Sequence, residues 1–192
     1  MTLKTARAYA AAAVLPNGEL WITGGMGRHG ALDSIEILVV KNNTWFIRRG
    51  PKMPRALSGH CFSYVNGNEW IVGGGYSPEE DGYSRLVDIF DQRQQKWYSK
   101  PWMPLENVGR IDSSCLNVLL GGQRRVMMSG GWSNAGMDVT EYYDQVSQAW
   151  KTVEWQLSPK ILAPSLPDKV RSAKLVEIGG NAYLLGGVKC NG

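Results

Sequence analysis

The stretch Asn66-Gly67-Asn68-Glu69-Trp70-Ile71-Val72-Gly73-Gly74 decides the fold. It opens on an Asn-Gly pair, which supplies the positive φ angles of a tight β-turn. A short apolar run follows, with a tryptophan three positions before the first glycine of the doublet that closes it. The same arrangement stands at three other places. Doublets at Gly24-Gly25, Gly130-Gly131 and Gly186-Gly187 follow Trp21, Met127 and Tyr183 at that distance, with turn dipeptides Asn17-Gly18, Gly121-Gly122 and Gly179-Gly180 just upstream. The steps between doublets are 49, 57 and 56 residues. Such a period marks a stack of supersecondary units in place of one irregular core.

Working outward, an arginine opens each unit: Arg7, Arg55, Arg110 and Arg171. Small apolar stretches such as Ala10 to Val14 and Cys61 to Val65 lead from it to the turn. Beyond the doublet, an acid precedes a tryptophan by nine positions in Glu36/Trp45, Asp88/Trp97 and Glu141/Trp150. β-formers surround the acid, and polar turn residues such as Lys41-Asn42-Asn43 separate it from the tryptophan. The fourth run ends near Met53-Pro54, Met103-Pro104 and Ser158-Pro159, where proline suits a strand that no longer donates to a ladder. Each unit therefore reads as four antiparallel strands of about five residues, the pattern of a propeller blade. Sustained helical periodicity is missing, and Gly or Pro interrupts nearly every window of helix length.

These residues resemble the kelch repeat. Gly73-Gly74, Asp88 to Asp91, Trp97 and Met103-Pro104 follow its pattern, as do Gly130-Gly131, Glu141 to Asp144 and Trp150; the first copy keeps Glu36 and Trp45 but has Leu38 and Val39 where the pattern has tyrosine and aspartate. The resemblance runs from about Arg7 to Gly187. It implies an all-β, kelch-type β-propeller in partial form, three complete four-stranded blades and half of a fourth, with repeats at about 7–54, 55–109 and 110–170 and a half repeat at 171–192. Trp21, Trp45, Trp70, Trp97 and Trp150 are expected in the core between strands and blades, where glycine permits close approach and aromatics fill the wedge.

Kelch propellers close with about five to seven blades, each near 50 residues, more than 192 residues supply. The favoured expectation is a fragment of a longer protein. A short protein that completes its ring by self-association through exposed blade faces and an open arc are the alternatives, because uncovered apolar faces and strand edges invite association.

The remaining composition excludes more than it assigns. The net charge of +4 is spread, with short pairs such as Arg48/Arg49 and no basic stripe, which argues against nucleic acid. No run of 18 apolar residues suggests a membrane partner. Residues 8–15 superficially resemble a secretion signal, yet they align with the opening strands of the other repeats. Cys61, Cys115 and Cys190 lack metal-ligand spacing; Cys61 and Cys115 are expected as small buried hydrophobes, and the odd count points to the cytoplasm. The two histidines, His29 and His60, match no His- and Tyr-containing copper site of the galactose-oxidase type. Phosphate loops and nucleophile elbows are missing too, so the chain is expected to be no enzyme and to hold no cofactor or metal.

Function is expected in the loops. Strand direction alternates, so the connections between strands two and three share one face with the connections between repeats, and long loops on a rigid scaffold are where binding is placed. These loops are Met26 to Ser34, Gly75 to Leu86, Trp132 to Asp138, Leu105 to Gly109 and Trp155 to Val170. The resemblance implies a protein or peptide partner there, with arginines reading an acidic segment. Candidates are Arg28, His29, Arg55, Tyr83, Arg85, Arg110, Trp132 and Arg171, opposed by the acidic turn Glu79-Glu80-Asp81. It further implies the substrate-recognition part of a ubiquitin-ligase adaptor or, alternatively, an actin-associated cytoskeletal module; a galactose-oxidase-like enzyme fragment is the minor alternative.

Overall fold

The computed structural model describes residues 2–101, 109–120, 122–133, 139–152 and 168–190. The turn at Gly121, the Met-Pro at 103–104, the Ser-Pro at 158–159 and the loops over 105–108, 134–138 and 155–167 lie outside these residues.

In the first unit, β1 (Ala11–Val14), β2 (Leu20–Thr23), β5 (Ile35–Lys41) and β6 (Thr44–Arg49) form one antiparallel sheet in chain order, and a small hairpin of β3 (Met26–Gly27) and β4 (Gly30–Ala31) projects from the β2–β5 connection. The second unit repeats this with β7 (Cys61–Asn66), β8 (Glu69–Gly73), β11 (Leu86–Asp91) and β12 (Lys96–Pro101); its insertion holds β9 (Tyr76–Ser77), the 3₁₀ turn Pro78–Glu80 and β10 (Gly82–Tyr83). The third is β13 (Ser114–Leu120), β14 (Gln123–Ser129), β15 (Thr140–Asp144) and β16 (Ala149–Thr152). After β17 (Val170–Arg171), a lone hairpin of β18 (Lys174–Ile178) and β19 (Asn181–Leu185) ends in β20 (Val188–Lys189), which pairs with β17. This is the architecture of three blades and half of a fourth.

Strand alternation gives every blade two faces. We call the face turned to the preceding blade leading and the opposite one trailing. Trp21 and Ile37 on the trailing face of blade 1 meet Phe62, Trp70 and Phe90 on the leading face of blade 2. The Trp21 ring lies 6.4 Å from Phe62 and 6.0 Å from both Trp70 and Phe90, and Trp97 packs 5.0 Å from Phe90. Blade 2 in turn offers Val65, Ile71 and Ile89 to Val126, Tyr143 and Trp150 of blade 3. Val118, Met127 and Tyr142 of blade 3 then receive Leu175 and Leu184 of the half blade.

Backbone bonds repeat at each junction. The residue two positions ahead of the first strand of each unit is left-handed: Tyr9 (φ 52°), Gly59 (62°), Asp112 (58°) and Ser172 (57°). The Gly59 N–H donates to the Tyr9 carbonyl at 2.8 Å, Asp112 N–H to Gly59 at 2.8 Å and Ser172 N–H to Asp112 at 2.9 Å. A second series runs the other way: Gly25, Gly75 and Gly131 donate at 2.8 Å to the carbonyls of Leu57, Arg110 and Val170 in the following unit. The adjacent doublet glycine must be small. A Cβ on Gly24 would sit 2.5 Å from the Leu57 carbonyl oxygen and 2.6 Å from the His60 ring, in a backbone with φ of 53°.

Three expectations are corrected here. The hydrogen-bonded register equates Gly74-Gly75, the last two of a glycine triplet, with the other doublets, so the steps become 50, 56 and 56 residues. Trp45 is 56% exposed where interior packing was expected. A two-residue Asn42-Asn43 turn with both φ near 50° joins β5 to β6, whereas four residues join β11 to β12, so Ile47 takes the cross-strand place that Trp97 holds and Trp45 moves toward the turn. Finally, Cys61 and Cys115 are not separate small hydrophobes. Cys61 is on the trailing face of β7 and Cys115 one register position further along on the leading face of β13, and a disulfide joins them with Cα atoms 5.6 Å apart.

Candidate partner-binding face

The β2–β5, β8–β11 and β14–β15 connections emerge on the side where each unit's first strand starts, together with the links between units. Arg28 and His29 form the exposed two-residue tip between β3 and β4. Tyr83, in β10, pairs with Tyr76, and Arg85 follows it with an exposed side chain. Trp132 is held by backbone bonds with Ile111, 2.8 Å in each direction, and the Arg171 guanidinium lies 5.6 Å from its ring centroid. Among the candidates, these last two are brought directly together.

Arg55 and Arg110 belong to the interior. Arg110 is 3% exposed and pairs with buried Glu141, while its Nη1 donates to the Gly130 carbonyl at 3.2 Å. Burial pushes its guanidinium down to about 10. Arg7 holds the equivalent place in blade 1, 2.8 Å from Glu36 and donating to the Gly24 and Ser34 carbonyls. In blade 2 that position is Leu57, and Arg55 reaches the same carboxylate site from two residues upstream, 3.0 Å from Asp88 and 2.9 Å from Glu80. In the half blade it is Val170, which shifts Arg171 one place on and out to solvent. A sequence signal for this existed: Arg7, Arg55 and Arg110 each have an acid about thirty residues on, in Glu36, Asp88 and Glu141.

The surrounding carboxylates are largely consumed. Glu79 accepts from the Ala56 N–H at 3.2 Å and the Ser77 hydroxyl at 2.8 Å; Glu80 accepts from Ser84, Arg55 and the Arg85 N–H. Burial pushes both carboxyls up, but these donors outweigh it and hold both below the usual range. Glu36 is treated the same way by the Lys4 and Thr5 amides and Arg7. Asp88 is the exception, raised because its burial outweighs Ser99 and Arg55. Asp81 remains exposed at the tip of the insertion. Glu80, half-buried and paired with Arg55, thus leaves Arg28 and Arg85 less opposed than the sequence implied.

Lys4, which sequence reasoning missed, joins Arg28 and His29 around a cleft of about 350 Å³, floored by Gly27, Gly30 and Leu32. Its position on that rim depends on the chain folding back along Glu36, which nothing in the local sequence announces. His60 is different: buried, with Nε2 2.8 Å from Thr23 Oγ1, it is pushed down to about 3 by burial and is a neutral element of the blade 1–blade 2 junction. No group of three His, Cys, Asp or Glu suited to a metal ion occurs among the described residues.

Comparison with known proteins agrees with this geometry. Residues 7–54 match the Kelch motif. The chain is similar to Kelch-like protein 26 of Danio rerio, 27% identical over 142 residues, covering 71% of this chain and 22% of that protein. It is also similar to Adagio protein 3 of Arabidopsis thaliana, 25% identical over 183 residues, covering 88% of this chain and 28% of that protein. The chain thus spans about a quarter of the length of these curated relatives. With a Kelch motif at its start and two more four-stranded units of the same plan after it, this chain has the fold of a partial kelch-type β-propeller.

Proposed function

We propose that this chain is a non-enzymatic protein-interaction module that binds an acidic peptide segment on the face carrying Arg28, His29, Tyr83, Arg85, Trp132 and Arg171. The observation behind it is the asymmetry of charge: Glu80 is half-buried and paired with Arg55 and Glu79 is held by the Ala56 amide and the Ser77 hydroxyl, while the side chains of Arg28, Arg85 and Arg171 are exposed. An acidic ligand gains directional hydrogen bonds from such guanidinium groups, and Trp132 and Tyr83 add apolar contact. In the setting of its much longer relatives, the module serves as the substrate-recognition part of a larger protein such as a ubiquitin-ligase adaptor.

The test is fluorescence anisotropy of a labelled Glu/Asp-rich peptide at two salt concentrations. Binding is expected to weaken with salt, and Arg28→Glu with Arg171→Glu is expected to weaken it about tenfold. Unchanged binding in that double variant overturns the reading. Reversal at Arg110 is no substitute, because it would bury two carboxylates against each other and unfold the blade.

A further inference from the structure

Blades 1 and 2 treat the same loop junction differently. In both, the insertion after the second strand stands beside the link that leads into the blade's own first strand. The bridges Ala8–Met26 and Ser58–Tyr76 fix the equivalence, so Ala6 corresponds to Ala56. In blade 2 the longer insertion closes on its link: Glu79 accepts from the Ala56 N–H at 3.2 Å, and Glu80 lies 2.9 Å from Arg55. In blade 1 the insertion ends in the two-residue tip Arg28-His29 and carries no acid. The cleft of about 350 Å³ between tip and link has Lys4, Arg28 and His29 among its lining residues and no carboxylate. Ala6 lines it too, and its N–H has no acceptor among the described residues. The acids of this region are engaged elsewhere, Glu36 with Arg7 and the Lys4 and Thr5 amides, Asp33 with Lys52. A preceding unit does not supply the missing bond. Blade 2 has one ahead of it, which reaches Leu57 through the Leu32–Leu57 bridge, and the Ala56 amide is still held by Glu79 of its own blade. The open amide follows from the short tip of blade 1.

We infer that this cleft receives one carboxylate of the bound peptide, in the role that Glu79 has in blade 2, with the Ala6 N–H and the Lys4, Arg28 and His29 side chains as donors. The inference rests on the acidic-peptide reading and adds to it the place of one acidic side chain. Blade 2 supplies the chemistry of the occupant, because at this backbone position its own chain presents a carboxylate to the amide. Two cations lining one cleft without a counter-charge gain when an anion enters between them. Guanidinium, ammonium and backbone N–H groups all give charge-assisted bonds to carboxylate oxygens. The volume holds a glutamate or aspartate side chain with bound water. A glutamine in the same place brings one acceptor oxygen and no charge, so the cleft separates an acid from its neutral amide. The junction of blade 2, already filled by Glu79, takes no carboxylate from the ligand.

Amide NMR of the 192-residue chain tests this during titration with a Glu-rich peptide and with the same peptide carrying Gln for each Glu, while fluorescence anisotropy reports binding itself. The Ala6 amide proton is expected to move downfield with the Glu peptide and to stay in place with the Gln peptide. The Ala56 amide, held already by Glu79, is expected to stay in place with both. Arg28→Gln and Lys4→Gln are each expected to weaken binding of the Glu peptide about fivefold and to reduce the Ala6 shift. Arg171→Gln is expected to weaken binding but to leave the Ala6 shift at saturation unchanged. All three side chains are exposed, so the near-ultraviolet signal of the buried tryptophans is expected to persist in each variant. A Glu peptide that binds with the Ala6 amide unmoved overturns the cleft and leaves the wider face standing. No binding by anisotropy overturns both, and an equal Ala6 shift with the Gln peptide overturns the assignment to a carboxylate.

Discussion

Blade 1 and blade 2 present leading faces of the same plan, and they meet opposite fates. On blade 2, Phe62, Trp70 and Phe90 are buried beneath Trp21 and Ile37 of the preceding blade. On blade 1, Val14, Val40 and Trp45 face solvent. The difference teaches that burial of the signature apolar residues is not a property of the repeat. It comes from the neighbour, as expected of an architecture in which each unit contacts only the ones beside it.

The largest contrast is expected between tryptophans. Trp70→Ala, in the covered face, should lower stability by about 3–5 kcal/mol, and Trp45→Ala, assayed at a concentration where the chain is monomeric, by less than about 0.5 kcal/mol; chemical denaturation of both variants measures the gap. Arginines should divide similarly. Arg110→Met leaves Glu141 buried without its cation and is expected to cost about 3–5 kcal/mol, whereas Arg171→Met, exposed beside Trp132, should cost under about 1 kcal/mol. Equal losses would erase the distinction between an interior ion pair and a surface cation.

A smaller effect is expected at the covered junction between blades 2 and 3. Cys115→Ser removes the link that closes a 54-residue separation and should lower stability by roughly 2–4 kcal/mol. Under a strong reductant, native and variant chains should converge in melting temperature.

The finest test uses acid. His60, between blades 1 and 2, has its folded-state pKa pushed down to about 3 from an ordinary value of 6.5. In that window the unfolded chain binds the proton and the folded chain does not, so its contribution to stability is complete above pH 6.5 and lost progressively as pH falls toward 3. One proton gives a slope of up to about 1.4 kcal/mol per pH unit. His60→Gln should remove that slope between pH 6 and 4, and an unchanged acid profile would show that other groups dominate.

The strand–turn–strand plan was legible because its signals are local. Turn dipeptides, doublet glycines and apolar runs specify hairpins without help from distant residues. What sequence hid was register. Arg55 stands two residues away from the place Arg7 and Arg110 occupy, Arg171 one residue away, and the Asn42-Asn43 turn shifts Trp45 by two places; in each case a small change of loop length alters which side chain reaches a given site. The disulfide was hidden for the same reason, since Cys61 and Cys115 meet only because adjacent blades present opposite strand faces to each other. At the candidate site, Arg28, His29, Arg85 and Arg171 were legible as loop cations, but the burial of Arg110 and the pairing of Glu80 with Arg55 depend on contacts across strands and loops.

The most direct measurement is amide hydrogen exchange at Gly59, Asp112 and Ser172 and at Gly25, Gly75 and Gly131 in the native chain. All six are expected to be protected, because their bonds join adjacent units within one molecule. Free exchange of Gly59 and Asp112 would contradict the repeated junction itself.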